Sequence, residues 1–246
     1  MKRTRQYDNV DIDCLNYRSV ETNEVNCYRV KNVITFCDQI SWHTVLKLNM
    51  LLKDAEKEIL DEIEVAKKEI VVTKYPSINI DIKAKPIVLV ITTYGGIVAS
   101  AWSTVDCIQN LSVPVHSVIR GYVASAGTII TMATQQRFIE QNAYMLIHEL
   151  SGGVWGRYVD IQNEMVNIKK YMKHIIRLYL SRSNKFTKQE LKILLRKDSS
   201  LSSDEALAKE LVDGIVDLTN KPNKINWKKS EETSQSTPQP IQQQPI

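Results

Sequence analysis

Residues 87–111 read IVLVITTYGGIVASAWSTVDCIQNL. The first seven form a near-continuous apolar run rich in β-branched residues, Tyr94-Gly95-Gly96 interrupts it, and from residue 97 the apolar positions recur at helical spacing. A strand without polar alternation is expected in a sheet covered on both faces. The unit repeats on the C-terminal side. PVHSVIRG (114–121) is strand-like and runs into GYVASAGTIITMATQQ (121–136), which takes up helical spacing from Ser125. RFIE (137–140) and AYMLIHE (143–149) read as strands separated by a turn at Gln141-Asn142. On the N-terminal side, NVITFCDQI (32–40) is a short β-rich run feeding SWHTVLKLNMLLKDAEKEI (41–59), a helical pattern with Ser41 as its N-cap. Strands alternating with helices predict an α/β fold with a largely parallel sheet.

The segment LDEIEVAKKEIVVTKYPSINIDIKAKP (60–86) continues the helix and then turns β-rich, broken by Pro76 and Pro86, as an insertion at the surface would. A long amphipathic helix is predicted from Tyr158 to about Ser181. Its apolar positions, including Ile161, Met165, Ile175 and Tyr179, form too broad a stripe to be left in water, so it must bury against its own domain or another subunit. Thr187-x-x-Glu190 and Ser202-x-x-Glu205 are capping-box patterns for two shorter helices, the second closing near Gly214. Residues 1–30 read as an irregular N-terminal arm, and 219–246, rich in Gln, Pro and Ser, as a disordered tail. One domain is expected over 31–218, with the insertion at about 60–86.

Composition narrows the function classes. The 246 residues, 43% hydrophobic and 24% charged, lie in the globular range, and no apolar run is long enough to span a bilayer. The N-terminal MKRTRQYDNVDID has no apolar stretch behind it, which argues against a secretory signal and for a soluble, cytoplasmic protein. Cys14, Cys27, Cys37 and Cys107 lack metal-ligand spacing, so reduced thiols and no structural metal are expected. The net charge is +4, with basic and acidic residues interleaved as on a solvated helix face, so no nucleic-acid partner is expected.

A parallel α/β sheet gathers function at the carboxyl ends of its strands. Three ends carry chemistry: one at Gly95-Gly96, one just before Ser125 and one at His148. Gly and Ala around a serine also suit a tight turn, and a lone histidine at a strand end is ordinarily a satisfied core residue, the reading given to His43, His116 and His174. Together, though, these are parts that acyl transfer needs. A serine hydroxyl requires a base, the base a carboxylate, and the oxyanion two convergent N–H donors. A helix starting at Ser125 brings orphan N–H groups and a positive dipole end, and Gly96 lets backbone approach a substrate.

GYVASAGTIITMAT followed by AYMLIHELSGGVWG resembles the ClpP caseinolytic serine proteases, whose pattern runs Gly-x-Ala-Ser-x-Gly and later Met-Ile-His-x-x-x-Gly-Gly. NVITFCDQI, VITTYGGIVASAWSTVDCIQ and KDSSLSSDEALAKELVDGIVD resemble, in order, the family's first core strand, its Gly-Gly strand with the helix after it, and its closing segment. The resemblance implies a crotonase/ClpP-like spiral of ββα units with a protruding handle helix, the one from Tyr158. It implies Ser125 as nucleophile, His148 as general base and Asp198 as the orienting carboxylate, although Asp204, Asp213 and Asp217 stand nearby. Gly96 and Ala126 fall where the family supplies its oxyanion-hole N–H groups. Gly95 and the stretch Ser151–Gly156, with Ser151, Gly152 and Gly153, fall in segments that bind a peptide substrate, the latter as an added strand. It further implies a homo-oligomer of stacked rings, unfolded polypeptides as substrates, a Clp-type AAA+ unfoldase as partner, and no cofactor.

The chain departs from the pattern at Tyr94, where proline is usual, at Ala126, where methionine is frequent, and at Glu149-Leu150, where Gln-Pro commonly follows the histidine. Only backbone donors act at Ala126. Glu149 beside the imidazole would favour its charged form. Two other readings fit the same residues: a crotonase-type acyl-CoA enzyme, and a non-catalytic ring subunit that assembles with an active paralogue.

Overall fold

The computed structural model describes residues 25–73 and 82–216. The expected tail, Cys14, the first part of the arm and the middle of the insertion lie outside the described residues. The chain runs β1 (Cys27–Val30), β2 (Val33–Cys37), α1 (Trp42–Thr73), β3 (Ile87–Thr93), α2 (Val98–Gln109), β4 (Val115–Ala124) and α3 (Ala126–Ala133). It continues through β5 (Gln136–Glu140), β6 (Tyr144–Leu146), α4 (Tyr158–Arg182), α5 (Lys188–Leu195), β7 (Ser200–Ser202), α6 (Ser203–Ala208) and β8 (Gly214–Val216).

The sheet orders β1-β2-β3-β4-β5-β8, with β6 attached to β4 and β7 to β6. All its pairings are parallel except β1 with β2 and β6 with β7. β3 lies inside it, with Ile87, Leu89, Ile91 and Thr93 buried, while Val88 and Thr92 on the other face are only half covered. The expectation of full cover on both faces therefore holds for one face and in part for the second.

β4 decides the layout. His116–Ile119 pair with β5, and Tyr122–Ala124 pair with β6. Between these halves the register against β3 slips, from Ile91 opposite Ile119 to Thr93 opposite Val123. The extra residues bulge at Arg120 and Gly121, where Gly121 takes φ 64° and Thr92 Oγ1 donates to the Arg120 carbonyl at 2.7 Å. A bulge bends a strand, and here the bend lets one strand change partners and carry its end to a rim of its own.

The caps read from the sequence are made. Ser41 Oγ accepts from the Thr44 N–H, Thr187 Oγ1 from Glu190 and Ser202 Oγ from Glu205. Such a cap contributes roughly 1 kcal/mol. Glu190 and Glu205 return the bond to the cap's own backbone N–H, which holds both carboxyls below the ordinary glutamate value.

Several boundaries differ from expectation. Cys27–Val30, assigned to the irregular arm, is a strand paired to β2. The last helix stops at Ala208, and Gly214 opens β8 instead of closing that helix. β6 stops at Leu146, two residues before His148. α1 runs without interruption into the insertion as far as Thr73. Among the described residues no helix is long and apolar enough to cross a membrane.

Candidate active site

Three neighbouring strands bring the predicted residues to one rim. β4 ends at Ala124 opposite Leu146 of β6, and the next residue, Ser125, donates its N–H to the Leu146 carbonyl at 3.0 Å. On the other side of β6, Leu146 is opposite Ser200 of antiparallel β7. Two residues onward along β6 and two back from β7, that register sets 148 against 198. The side chains meet there, with His148 Nδ1 3.8 Å from Asp198 Oδ1. This is within ion-pair reach and longer than a hydrogen bond. His148 is mostly covered, its side chain 18% exposed, and Asp198 is open to solvent at 72%.

The backbone at these positions is constrained. Ser125 has φ 54° and ψ −123°, and Asp198 has φ 47°. Non-glycine residues seldom take positive φ, and where they do the surroundings must enforce it. At Ser125 the enforcing groups are visible. Its N–H is tied to Leu146, and its carbonyl accepts from the Thr128 N–H at 3.0 Å and from Thr128 Oγ1 at 2.5 Å. The half-buried hydroxyl is thereby presented at a sharp strand-to-helix turn, at the start of α3.

Gly95 lies against this turn. A Cβ on it would stand 2.6 Å from Ser125 Cβ and 3.2 Å from the Ala126 nitrogen, and its φ is 97°. The following glycine bridges in parallel to Ile40, which donates to the Gly95 carbonyl and accepts from the Ile97 N–H, each at 2.8 Å. In such a bridge the central residue's own N–H and C=O point the other way. The Gly96 N–H is therefore turned from Ile40 toward the side of β4 and Ser125. Ala126, fully buried, is the first residue of α3, where helix N–H groups lack intrahelical acceptors.

Ser151, Gly152 and Gly153 are placed differently. They lie in an exposed, irregular segment between β6 and α4, with open space where Cβ atoms would be at Gly152 and Gly153, and they pair with no strand among the described residues. Glu149 turns to Arg196, its Oε1 3.2 Å from Nε, while its N–H donates to the Leu195 carbonyl at 3.0 Å. Its charge is thus met by a guanidinium, and the pair ties the His148 segment to the loop carrying Asp198. Arg196, Thr128 and Tyr179 were not singled out by sequence as site residues. The available signal was a tyrosine in the apolar stripe of the long helix, since a buried phenol needs a partner for its hydroxyl.

The sequence profile of the Clp protease family matches residues 40–219, from the Ile40 bridge to just past β8. The chain belongs to the Clp protease family. Its fold is that of the family: a ClpP1 mutant from Listeria monocytogenes superposes with a TM-score of 0.60, over 76% of this chain and 92% of that one, at 21% sequence identity. At that identity the likeness is one of fold. Membership in the Clp protease family makes the chain a ClpP-like peptidase in type and favours peptide chemistry over the acyl-CoA reading.

Proposed function

We propose that this chain is a serine endopeptidase subunit of a ring-shaped, ATPase-assisted protease. The observation that carries the reading is the constrained Ser125, at the end of β4 and bonded to the strand that leads to His148, with Asp198 in reach of the imidazole.

In this reading His148 takes the Ser125 proton as the oxygen attacks the scissile carbonyl, and returns it to the leaving amine as the acyl-enzyme forms. Water then repeats the cycle to release the acid. Asp198 orients the imidazole and balances its positive charge, which requires the 3.8 Å separation to shorten by about 1 Å; such contacts tighten when substrate is bound. The N–H groups of Gly96 and Ala126 hold the oxyanion. The exposed 151–153 segment, with Gly95 across the rim, receives the peptide as an added strand. None of these steps calls for a cofactor.

Assembly into stacked rings is supported by α4. Ile175, Ile176 and Tyr179 near its C-terminus are buried, whereas Tyr158, Val159, Ile161, Met165 and Val166 in its first turns are exposed. Apolar side chains left exposed along one helix in this way favour an interface. A Clp-type AAA+ unfoldase would supply unfolded chains.

The test is active-site labelling. The wild-type chain, alone and mixed with an active ring paralogue, should react with a fluorophosphonate at Ser125 and cleave short peptides. Ser125→Ala should abolish labelling and lower hydrolysis at least about 1000-fold. Equal hydrolysis before and after the substitution, in both mixtures, would assign the chain a non-catalytic place in the ring.

A further inference from the structure

Beneath the rim lies a buried chain of hydroxyls. Tyr179 Oη, from the C-terminal part of α4, is 2.5 Å from Thr128 Oγ1, which is in turn 2.5 Å from the Ser125 carbonyl oxygen. Tyr179 is only 2% exposed, and burial holds its phenol well above the ordinary tyrosine pKa, so it stays protonated. The direction of the chain follows from its chemistry. A carbonyl only accepts, so the single Thr128 hydroxyl proton goes to Ser125, and the Tyr179 proton must go to Thr128.

The consequence lies in the peptide joining Ser125 to Ala126. That unit is planar, with its C=O and N–H pointing in opposite directions. Drawing the carbonyl inward, with the Thr128 N–H as a second donor at 3.0 Å, turns the Ala126 N–H outward to the side where Gly95 packs. A carbonyl that accepts two donors also polarises its peptide, strengthening the N–H as a donor.

We propose that Tyr179 and Thr128 are positioning residues that fix the Ser125–Ala126 peptide in the orientation needed to stabilise an oxyanion. The proposal rests on the serine-peptidase reading. It adds that the base of the long helix helps set the strength of the oxyanion site.

The experiment compares wild type, Thr128→Val, Thr128→Ser and Tyr179→Phe in the full chain, assembled as the wild type assembles. Thr128→Val keeps the shape and removes the proton. It should lower kcat about 10- to 100-fold with KM unchanged, and weaken a peptide boronate, which forms a tetrahedral adduct, by a similar factor. Thr128→Ser should restore kcat to within about threefold of wild type, and Tyr179→Phe should fall between, losing about three- to tenfold. A purely structural role would lower the thermal midpoint without this joint loss of kcat and boronate affinity. If Thr128→Val and Tyr179→Phe fold and keep kcat within twofold while wild type is labelled at Ser125, the relay is wrong and the serine reading survives. If Thr128→Val fails to fold, Tyr179→Phe with unchanged kcat is enough to reject the relay. Absence of labelling in the wild type itself removes both.

Discussion

At residue 95 an added methyl would stand 2.6 Å from Ser125 Cβ and 2.9 Å from the Ala124 carbonyl oxygen, on a backbone already at φ 97°. Gly95→Ala must therefore either push the serine turn away or carry strain of about 1–3 kcal/mol. The expected outcome is a loss of peptidase activity of about 100-fold or more, with a fall in unfolding free energy in that range, read from peptide hydrolysis and a urea titration on one sample. The residue types at this rim were legible in the sequence, because small residues around a serine and a histidine at a strand end are visible as letters. Their conformations were not. A left-handed serine or aspartate is not spelled in the neighbouring letters: the bond that holds the Ser125 N–H comes from Leu146, far along the chain, and the positive φ of Asp198 is seen only in the folded structure.

Elements divide by length. The seven residues of β3 and the capped helices announced themselves through apolar runs and capping boxes. β7 and β8, three residues each, are too short for alternation to be seen. β8 is secured by ionic and backbone bonds more than by its own pattern. The Arg137 guanidinium, 5% exposed, meets both Asp213 oxygens at 2.6 and 3.0 Å and donates to the Arg182 carbonyl at 3.1 Å. The Arg137 N–H also donates to Asp213 Oδ2, and the Asp213 N–H donates to the Arg137 carbonyl. Asp213→Asn leaves the buried cation without its counter-charge. It should cost about 2–4 kcal/mol, somewhat less than the usual loss for a broken buried pair, because the Asp213 side chain is 37% exposed. Chemical denaturation of the variant checks this, and activity per folded molecule should change little.

For the whole molecule, the long helix is the point where one chain's physics is incomplete. Its C-terminal turns close the core over α3, and its first turns hold apolar side chains in water. Just ahead of those turns, Trp155 is fully exposed, while Trp102 is stacked on His174 with ring centroids 3.9 Å apart. Enclosure of the handle by a second copy would take the indole at 155 out of water. Trp42 is exposed as well, so in a Trp42→Phe, Trp227→Phe background the ultraviolet emission should shift to shorter wavelength as protein concentration rises, and adding Trp155→Phe should lose that shift while the mass of the particle, followed by light scattering, still grows. The chain would thus carry its own optical reporter of association, two residues beyond the glycines proposed to receive the peptide, so assembly can be timed without a dye.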